Sequence, residues 1–224
     1  MSKFTKLFAA ALIAVAGSAS ANTVSLVDGT ATYAVSTKDD KVVSFALPAK
    51  QSAGMLVDFS FSFTGTLQNN DYFAVWFGDS TGPSFGLKAN CGGDVAGCTN
   101  DLYLRTSGTT GTFLPNTDLK AGTDYHLMGY LYKTGNSTTY NAFDMWVNPT
   151  DAEMASLGGA DIHIAGDSKL ASIGTVGFRT VNIDNGVTLT ASDINVNAVP
   201  EPGSLALMGL AAAGLGFLRR RKQA

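Results

Sequence analysis

The chain has 224 residues, of which 45% are hydrophobic and 15% are charged, so it can bury one substantial core. Six of its fifteen basic residues lie near the two termini, which leaves residues 22–202 with nine basic and eighteen acidic side chains, a net charge of −9. This acidic balance argues against a nucleic-acid partner. Sixteen of the eighteen acids are aspartate, a bias that favours turns and loops over helices.

The N-terminus has the pattern of a secretory signal peptide. Two lysines give it a positive start, residues 7–16 form an apolar stretch, and three small residues ending at Ala21 follow. We expect signal peptidase to cut between Ala21 and Asn22, so that residues 1–21 are removed during export. An uncleaved anchor is disfavoured because the apolar stretch is too short to span a bilayer comfortably.

The residues that follow have the pattern of a series of short strands. In Met55 to Thr64, apolar and polar side chains alternate with period two, the pattern of a half-buried strand. The same reasoning predicts strands at 32–36, 42–47, 55–64, 72–78, 84–88, 102–106, 124–133, 142–147, 172–179 and 187–195, with turn residues between nearly all of them. One short helix is expected at Thr150 to Leu157, capped by Thr150 or Asp151 and stopped by Gly158-Gly159.

About ten short strands with regular turn spacing predict an all-β domain over residues 22–198. The architecture that fits best is an antiparallel, jelly-roll-like β-sandwich, in which long return connections protect the sheet edges. Residues 22–198 suit one domain.

Cys91 and Cys98 are the only two cysteines, and three glycines lie between them. Export to an oxidising compartment favours a disulfide between them. Such a bridge would staple the loop against proteolysis and stabilise the domain by about 2 kcal/mol in the chain-entropy model.

Carbohydrate-binding sites on β-sandwiches combine aromatic faces with polar donors. We expect most of the candidate aromatic side chains to pack in the core, and Trp76 in particular, because it lies in a run that is apolar on both faces. Tyr132 and Tyr140, beside a Gly/Asn/Ser/Thr loop, are the better surface candidates. The full set is Tyr72, Trp76, Tyr103, Tyr130, Tyr132, Tyr140 and Trp146.

We predict no cofactor and no catalytic metal, since no two histidines have ligand spacing. Structural calcium is an open alternative, because aspartate and asparagine oxygens are its usual ligands, although their spacing here matches no fixed calcium loop. The candidate ligands are Asn70, Asp71, Asp79, Asn100 and Asp101.

The sequence offers little for catalysis. Hydrolysis of a glycosidic bond needs two well-placed carboxylates. Glu153 stands alone, and Asp144 is the single acid of its strand, where we expect it to face solvent or pair with a loop. His126 and His163 lie in strand-like surroundings without a Gly-x-Ser-x-Gly elbow, so we expect structural roles for both.

The C-terminus is a tripartite segment, residues 199–224. Pro200-Glu201-Pro202 breaks any regular element, and an apolar run over 203–218 follows. As a helix this run would be roughly 24 Å long, a marginal transmembrane helix. The cations Arg219, Arg220, Arg221 and Lys222 mark the end that stays in the cytoplasm.

This segment resembles the PEP-CTERM sorting signal of Gram-negative bacteria, on the residues Pro200, Glu201, Pro202, Arg219, Arg220 and Arg221 and on the Gly/Ala/Leu-rich run between them. The resemblance implies recognition by an exosortase, a membrane-embedded cysteine transpeptidase, and removal of the tail near the Pro-Glu-Pro. It further implies a transient stay in the inner membrane, then the cell surface or extracellular matrix. An ordinary membrane anchor that is never cut is the alternative.

A second resemblance covers roughly residues 23–196. The Phe-rich strand, Ala74 to Asp79, Gly122 to Leu127 and Asp144 to Pro149 look like the concanavalin A-like lectin/glucanase jelly roll. The glucanases of that family carry a Glu-x-Asp-x-x-Glu strand, which this sequence lacks. A different β-sandwich is the alternative.

Together these patterns predict an exported, noncatalytic protein of the cell surface or exopolysaccharide matrix, whose partners in transit are signal peptidase and exosortase. A lectin-like module that recognises the matrix polysaccharide is the alternative. A glycoside hydrolase is the least favoured function.

Overall fold

The computed structural model describes residues 23–34, 41–91, 98–108, 111–114, 117–183 and 186–199. These residues form twelve strands in two six-stranded antiparallel sheets, with one short helix. Sheet A contains, in spatial order, β1 (Thr23–Ala34), β12 (Thr188–Val199), β3 (Gly54–Thr64), β8 (Tyr125–Tyr132), β9 (Ala142–Val147) and β10 (Ile162–Ala165). Sheet B contains β2 (Lys41–Gln51), β11 (Ile173–Val181), β4 (Tyr72–Phe77), β5 (Ser84–Cys91), β6 (Cys98–Arg105) and β7 (Thr112–Phe113).

The predicted all-β, jelly-roll-like sandwich is confirmed. The ten predicted strands are present, although β1 begins at Thr23, nine residues before the predicted start. Its pairing with β12 contains two register shifts, which accommodate an irregular stretch that does not alternate cleanly. Sequence analysis missed β7 and β10, which have two and four residues and lie at sheet edges.

The core lies between the two sheets and is rich in phenylalanine. From β3, Phe59 and Phe61 pack on Phe73 of β4 with ring-centroid distances of 6.1 and 4.8 Å. Phe85 of β5 meets Phe143 of β9 edge to face at 5.7 Å. All five are fully buried, so period-two alternation in β3 correctly identified the inward face.

The helix α1 (Asp151–Ser156) has the predicted N-cap. The Thr150 amide and hydroxyl both donate to the Glu153 carboxylate, at 2.8 Å each, and the Glu153 amide donates back to the Thr150 hydroxyl. At the other end the left-handed residue is Leu157, with φ 53°, rather than one of the two glycines that follow.

The two ends of the domain leave sheet A side by side, since Thr23 of β1 pairs with Asn197 of β12. The predicted signal-peptide cut at Ala21 and Asn22 and the predicted helix at 203–218 lie outside the described residues. Within those residues, no helix is long and apolar enough to cross a membrane.

The prediction that Tyr140 lies at the surface is wrong. Its ring is fully buried, and its hydroxyl lies 3.0 and 2.7 Å from the carbonyl oxygens of Gln51 and Ala53, at the turn between β2 and β3. The neighbouring Gly/Asn/Ser/Thr loop suggested exposure, but the hydroxyl donates to partly buried carbonyl oxygens on a turn that is distant in sequence. Tyr140 therefore ties the start of β9 to that turn.

The Tyr140→Phe substitution should lower the free energy of unfolding by about 1–2 kcal/mol, because it leaves two partly buried carbonyl oxygens without their donor. Chemical denaturation measures this difference. Tyr125→Phe is the matched control, since the Tyr125 hydroxyl accepts from the exposed Lys120 amide, which water can satisfy. Equal losses in the two variants would contradict the structural role of Tyr140.

Candidate functional site

The aromatic candidates separate into three places. Tyr140 is in the core, as described above. Tyr130, Tyr132 and Trp146 lie on the outer face of sheet A. Tyr72, Trp76 and Tyr103 lie on the outer face of sheet B, where Trp76 is buried as predicted.

The most elaborate polar arrangement on the outer face of sheet B is built around Arg105, at the end of β6. Its Nε donates to the Ser84 hydroxyl at 2.6 Å, and its Nη2 donates to the Tyr72 hydroxyl at 3.0 Å. The guanidinium carbon lies 5.7 Å from the ring centroid of Tyr72 and 6.0 Å from that of Tyr103. We call Tyr72, Ser84, Tyr103 and Arg105 the Arg105 cluster.

The polar groups of two aromatic side chains at this face are buried and make no hydrogen bond of standard geometry among the described residues. They are the Tyr103 hydroxyl, which lies beside those of Tyr72 and Ser84, and the Trp76 indole Nε1. Burial raises the pKa of Tyr103 well above its ordinary value, so the phenol stays neutral. Buried polar groups without a well-formed hydrogen bond are uncommon, and each has a specific cause such as local strain or an ordered water or ion.

Small residues occupy the middle of the outer face of sheet B. Ala74, Gly86 and Tyr103 are cross-strand neighbours, and Gly177 lies beside Trp76. The Trp76 ring lies over Gly177, because a Cβ there would be 2.3 Å from Cζ2 of the indole. Larger side chains therefore surround a central patch that is formed by Ala74, Gly86 and Gly177.

Charge is segregated between the two sheets. The described strands of sheet A carry no lysine or arginine, and they contain the acids Asp28, Asp58, Asp144 and Asp193. The strands of sheet B carry five of the nine basic residues of the domain, Lys41, Lys50, Lys88, Arg105 and Arg179, and one acid, Asp101. An acidic domain thus presents one cationic sheet.

The outer face of sheet A is partly covered by α1 and the loop after it. Trp146, Met128 and Tyr130 form a buried cluster there, with Met154 and Leu157 packed on it. The Trp146 indole donates to the Gly158 carbonyl at 2.9 Å, which fastens the loop. These aromatic side chains are therefore occupied in packing rather than presented to a ligand.

Asp144 does not face solvent as predicted. It is buried on the outer face of sheet A, where its Oδ1 lies 2.5 Å from Nδ1 of the exposed His163 on the neighbouring strand. Burial and a hydrogen bond to Asp144 raise the pKa of Tyr132. The pairing depends on β10, which sequence analysis did not predict, so the Asp144–His163 contact could not be foreseen.

Glu153 is held as a capping residue. Hydrogen bonds from the Thr150 amide and hydroxyl lower the pKa of its carboxyl group, so it does not retain a proton near neutral pH. A general acid of a glycosidase needs the opposite shift. The other histidine, His126, lies at the start of β8, where its amide donates to the Asn148 side chain at 2.8 Å.

Asp58 belongs to a polar strip on sheet A, next to a shallow groove of about 330 Å³ lined mainly by Ser60, Ser62, Asp124, Thr190 and Ser192. Burial raises the pKa of Asp58. The hydrogen bond from Asn195 and the charge of His126 act in the opposite direction, but their combined effect on the pKa is smaller. The folded state therefore disfavours the ionised carboxylate.

We expect Asp58→Asn to raise the melting temperature at about pH 8 and to leave it unchanged at about pH 3, where the carboxyl group is protonated in both states. An aspartate whose pKa is raised by folding costs stability as pH rises through the shifted range, and asparagine removes that cost. Asp167→Asn should instead lower the melting temperature at neutral pH. Hydrogen bonds from Lys169 and Thr139 lower the pKa of Asp167, so the ionised carboxylate stabilises the folded state. Shifts of the same sign in both variants would contradict this assignment.

The candidate calcium ligands do not form one site. Asn70 and Asp71 precede β4, whereas Asp79 follows its other end and is bonded to Thr81. Asn100 and Asp101 lie on β6, where the Asn100 side chain donates to the Leu119 carbonyl. No group of three or more histidine, cysteine or acidic side chains suited to a metal occurs among the described residues. Calcium binding by a subset stays a prediction.

Cys91 and Cys98 are directly opposite each other in the register of β5 and β6. Their side chains lie outside those that the structure describes. The predicted disulfide therefore stays a prediction.

The tail of the chain is similar to a known sequence motif. It continues from the end of β12, a strand held between β1 and β3. Residues 198–222 match the PEP-CTERM protein-sorting motif. A PEP-CTERM motif implies export and a membrane-anchored sorting step followed by exosortase processing, so the predicted resemblance is confirmed for this segment.

Solved structures share the fold of the domain that precedes the PEP-CTERM motif. A double mutant of the alginate lyase Aly36B, in complex with alginate tetrasaccharide, aligns with a TM-score of 0.52 and 11% identity, over 76% of this chain and 80% of that chain. Another structure of Aly36B gives 0.50 and 12% identity over the same shares. The carbohydrate-binding module CBM66 from Bacillus subtilis gives 0.41 and 13% identity, over 78% of this chain and 98% of the module. The likeness to the lyase is one of fold alone.

No curated protein matches the sequence of the chain.

Proposed function

We propose that this protein is a noncatalytic component of the cell surface or exopolysaccharide matrix of a Gram-negative bacterium. The observation that carries the proposal is the PEP-CTERM match at residues 198–222. The chain is exported, held in the inner membrane by the 203–218 helix, and released when exosortase cuts near Pro200, Glu201 and Pro202. Arg219, Arg220 and Arg221 retain the helix end in the cytoplasm.

Deletion of the exosortase gene tests this proposal. The protein should then accumulate in the inner membrane with its tail attached, whereas the wild-type strain carries it beyond that membrane. An unchanged distribution between fractions would contradict sorting by exosortase.

A second candidate function is carbohydrate binding, and the Arg105 cluster favours it. Tyr72, Tyr103, Ser84 and Arg105 place aromatic rings, hydroxyls and a guanidinium together on the outer face of sheet B, where Arg105 is the partly exposed member of the cluster. Aromatic surfaces with a few fixed polar groups are typical of ligand-binding sites. Saturable retention on purified matrix polysaccharide, competed by free sugar, is the expected result, and retention that sugar does not reduce would contradict it.

The contacts of the acidic candidates support a noncatalytic role. Asp144 is paired with His163, and Glu153 caps α1, so both carboxylates have structural partners. Because an alginate lyase shares the fold, alginate belongs in the panel of glycans that tests this point. We expect no turnover, and turnover that disappears in the Asp144→Asn variant would overturn the noncatalytic assignment.

A further inference from the structure

The Arg105 guanidinium is held in place before any ligand arrives. Two of its five N–H donors are used, by Ser84 and Tyr72, and two tyrosine rings lie against it. An arginine that is already fixed loses less conformational freedom when it binds a partner. The side chain is only partly buried, so a ligand can reach it.

The remaining donors of Arg105 lack an acidic partner. Among the described residues, its Nη1 makes no hydrogen bond, and neither Arg105 nor Lys88 forms an ion pair. A guanidinium edge with two parallel N–H groups matches a carboxylate, which accepts both. The cluster is therefore complementary to a carboxylate rather than to a neutral hydroxyl.

Other cations extend the complementarity along the sheet. Lys88 of β5 is opposite Tyr72 on one side and the acid Asp101 of β6 on the other, on the same outer face. Arg179, on β11, is opposite Ala74 on the other side of β4. With neighbouring strands about 4.8 Å apart, these cations cover a width of roughly 15 Å. Arg179 also donates from Nη1 to the Ser80 carbonyl, so Arg105 and Lys88 are the two cations that we expect a polymer with a charged group on each sugar to meet.

The net negative charge of the domain limits which anionic polymers the outer face of sheet B can bind. Acidic residues outnumber basic ones in the domain as a whole and in the strands of sheet A, so the net charge disfavours a polyanion, and the strands of sheet B are where basic residues outnumber acidic ones. Attraction must then come from local contacts, which salt weakens. A polymer of moderate charge density, with one carboxylate per sugar, fits this balance.

We infer that the outer face of sheet B binds a carboxylated polysaccharide, with Arg105 pairing to a uronate carboxylate and Lys88 to a neighbouring one. This inference rests on the proposed carbohydrate-binding role and names the class of its ligand. It does not depend on how the tail is processed.

The test uses the exported protein recovered from its own cells, with polygalacturonate and its fully methyl-esterified form as the two probes in affinity electrophoresis. The two polymers share a backbone and differ in charge. We expect retardation by polygalacturonate, reversed by about 1 M salt, and little retardation by the ester.

The variants identify the residues responsible. Arg105→Gln should weaken binding of polygalacturonate at least about tenfold, and Arg105→Lys should have an intermediate effect because it keeps the charge but loses the planar fork. Lys88→Gln, outside the packed cluster, should also weaken binding and serves if Arg105→Gln fails to fold. Lys169→Gln removes an exposed charge from the loop before β11 and should change affinity less than about twofold.

Equal binding of the two polymers, or full binding by Arg105→Gln and Lys88→Gln, would overturn the carboxylate inference and leave a carbohydrate-binding role standing. Absence of binding to either polymer, with saturable binding to neutral matrix glycan, would do the same. If no glycan binds at all, both the inference and the carbohydrate-binding role fail, while sorting by exosortase is unaffected.

Discussion

The Gly177→Ala substitution is expected to destabilise the domain by about 3 kcal/mol or more, because sheet B has no space for a methyl group there. A Cβ on Gly177 would lie 2.1 Å from the backbone oxygen of Val43 and 2.3 Å from Cζ2 of Trp76. The carbonyl belongs to β2, so it cannot move without disturbing the pairing with β11. Denaturant unfolding followed by circular dichroism measures the loss.

Gly174→Ala is the matched control on the same strand. There the nearest atom to an added Cβ is Cγ of Lys50, at 3.1 Å, on a flexible side chain that can move aside. We expect a change within about 0.5 kcal/mol. Similar losses for the two variants would show that glycine is needed throughout β11 for backbone reasons, and would contradict the close packing of Trp76 on Gly177.

Replacement of Pro200, Glu201 and Pro202 by alanine is expected to abolish processing of the tail. Without the two prolines the chain can continue a regular element from the domain into the apolar run, and the exosortase recognition segment is lost. The variant should keep the residues up to Ala224 and remain in the inner membrane. Intact mass and fractionation measure both properties.

Pro48→Ala controls for the loss of a proline, since Pro48 is exposed on β2. This variant should be processed and sorted as the wild type is. A triple-alanine variant that still loses its tail and leaves the inner membrane would contradict the role assigned to the three residues.

The strands could be predicted where side chains alternate. Phe59, Phe61 and Phe63 fixed the inward face of β3, and Thr150 with Glu153 marked the start of α1. These signals are local, since they depend on neighbours within a few residues. The short edge strands β7 and β10 lack enough residues for such a period to be visible.

The candidate site could not be predicted, because it depends on contacts between distant parts of the chain. Arg105 bonds to Tyr72 and Ser84, which lie 33 and 21 residues earlier in the chain, and Asp144 meets His163 only through β10. Burial of the Tyr140 hydroxyl depends on a turn 87 residues away. The absence of lysine and arginine from the strands of one sheet is visible in the sequence only after the structure has assigned the strands to sheets.

The most direct test of the account is the intact mass of the native protein in separate inner-membrane, outer-membrane and extracellular fractions. We predict a species that begins at Asn22, ends near Pro200 to Pro202 and is found beyond the inner membrane, with the mass deficit of a Cys91–Cys98 disulfide. A chain that ends at Ala224 and is confined to the inner membrane would contradict exosortase sorting and make this a permanently anchored domain.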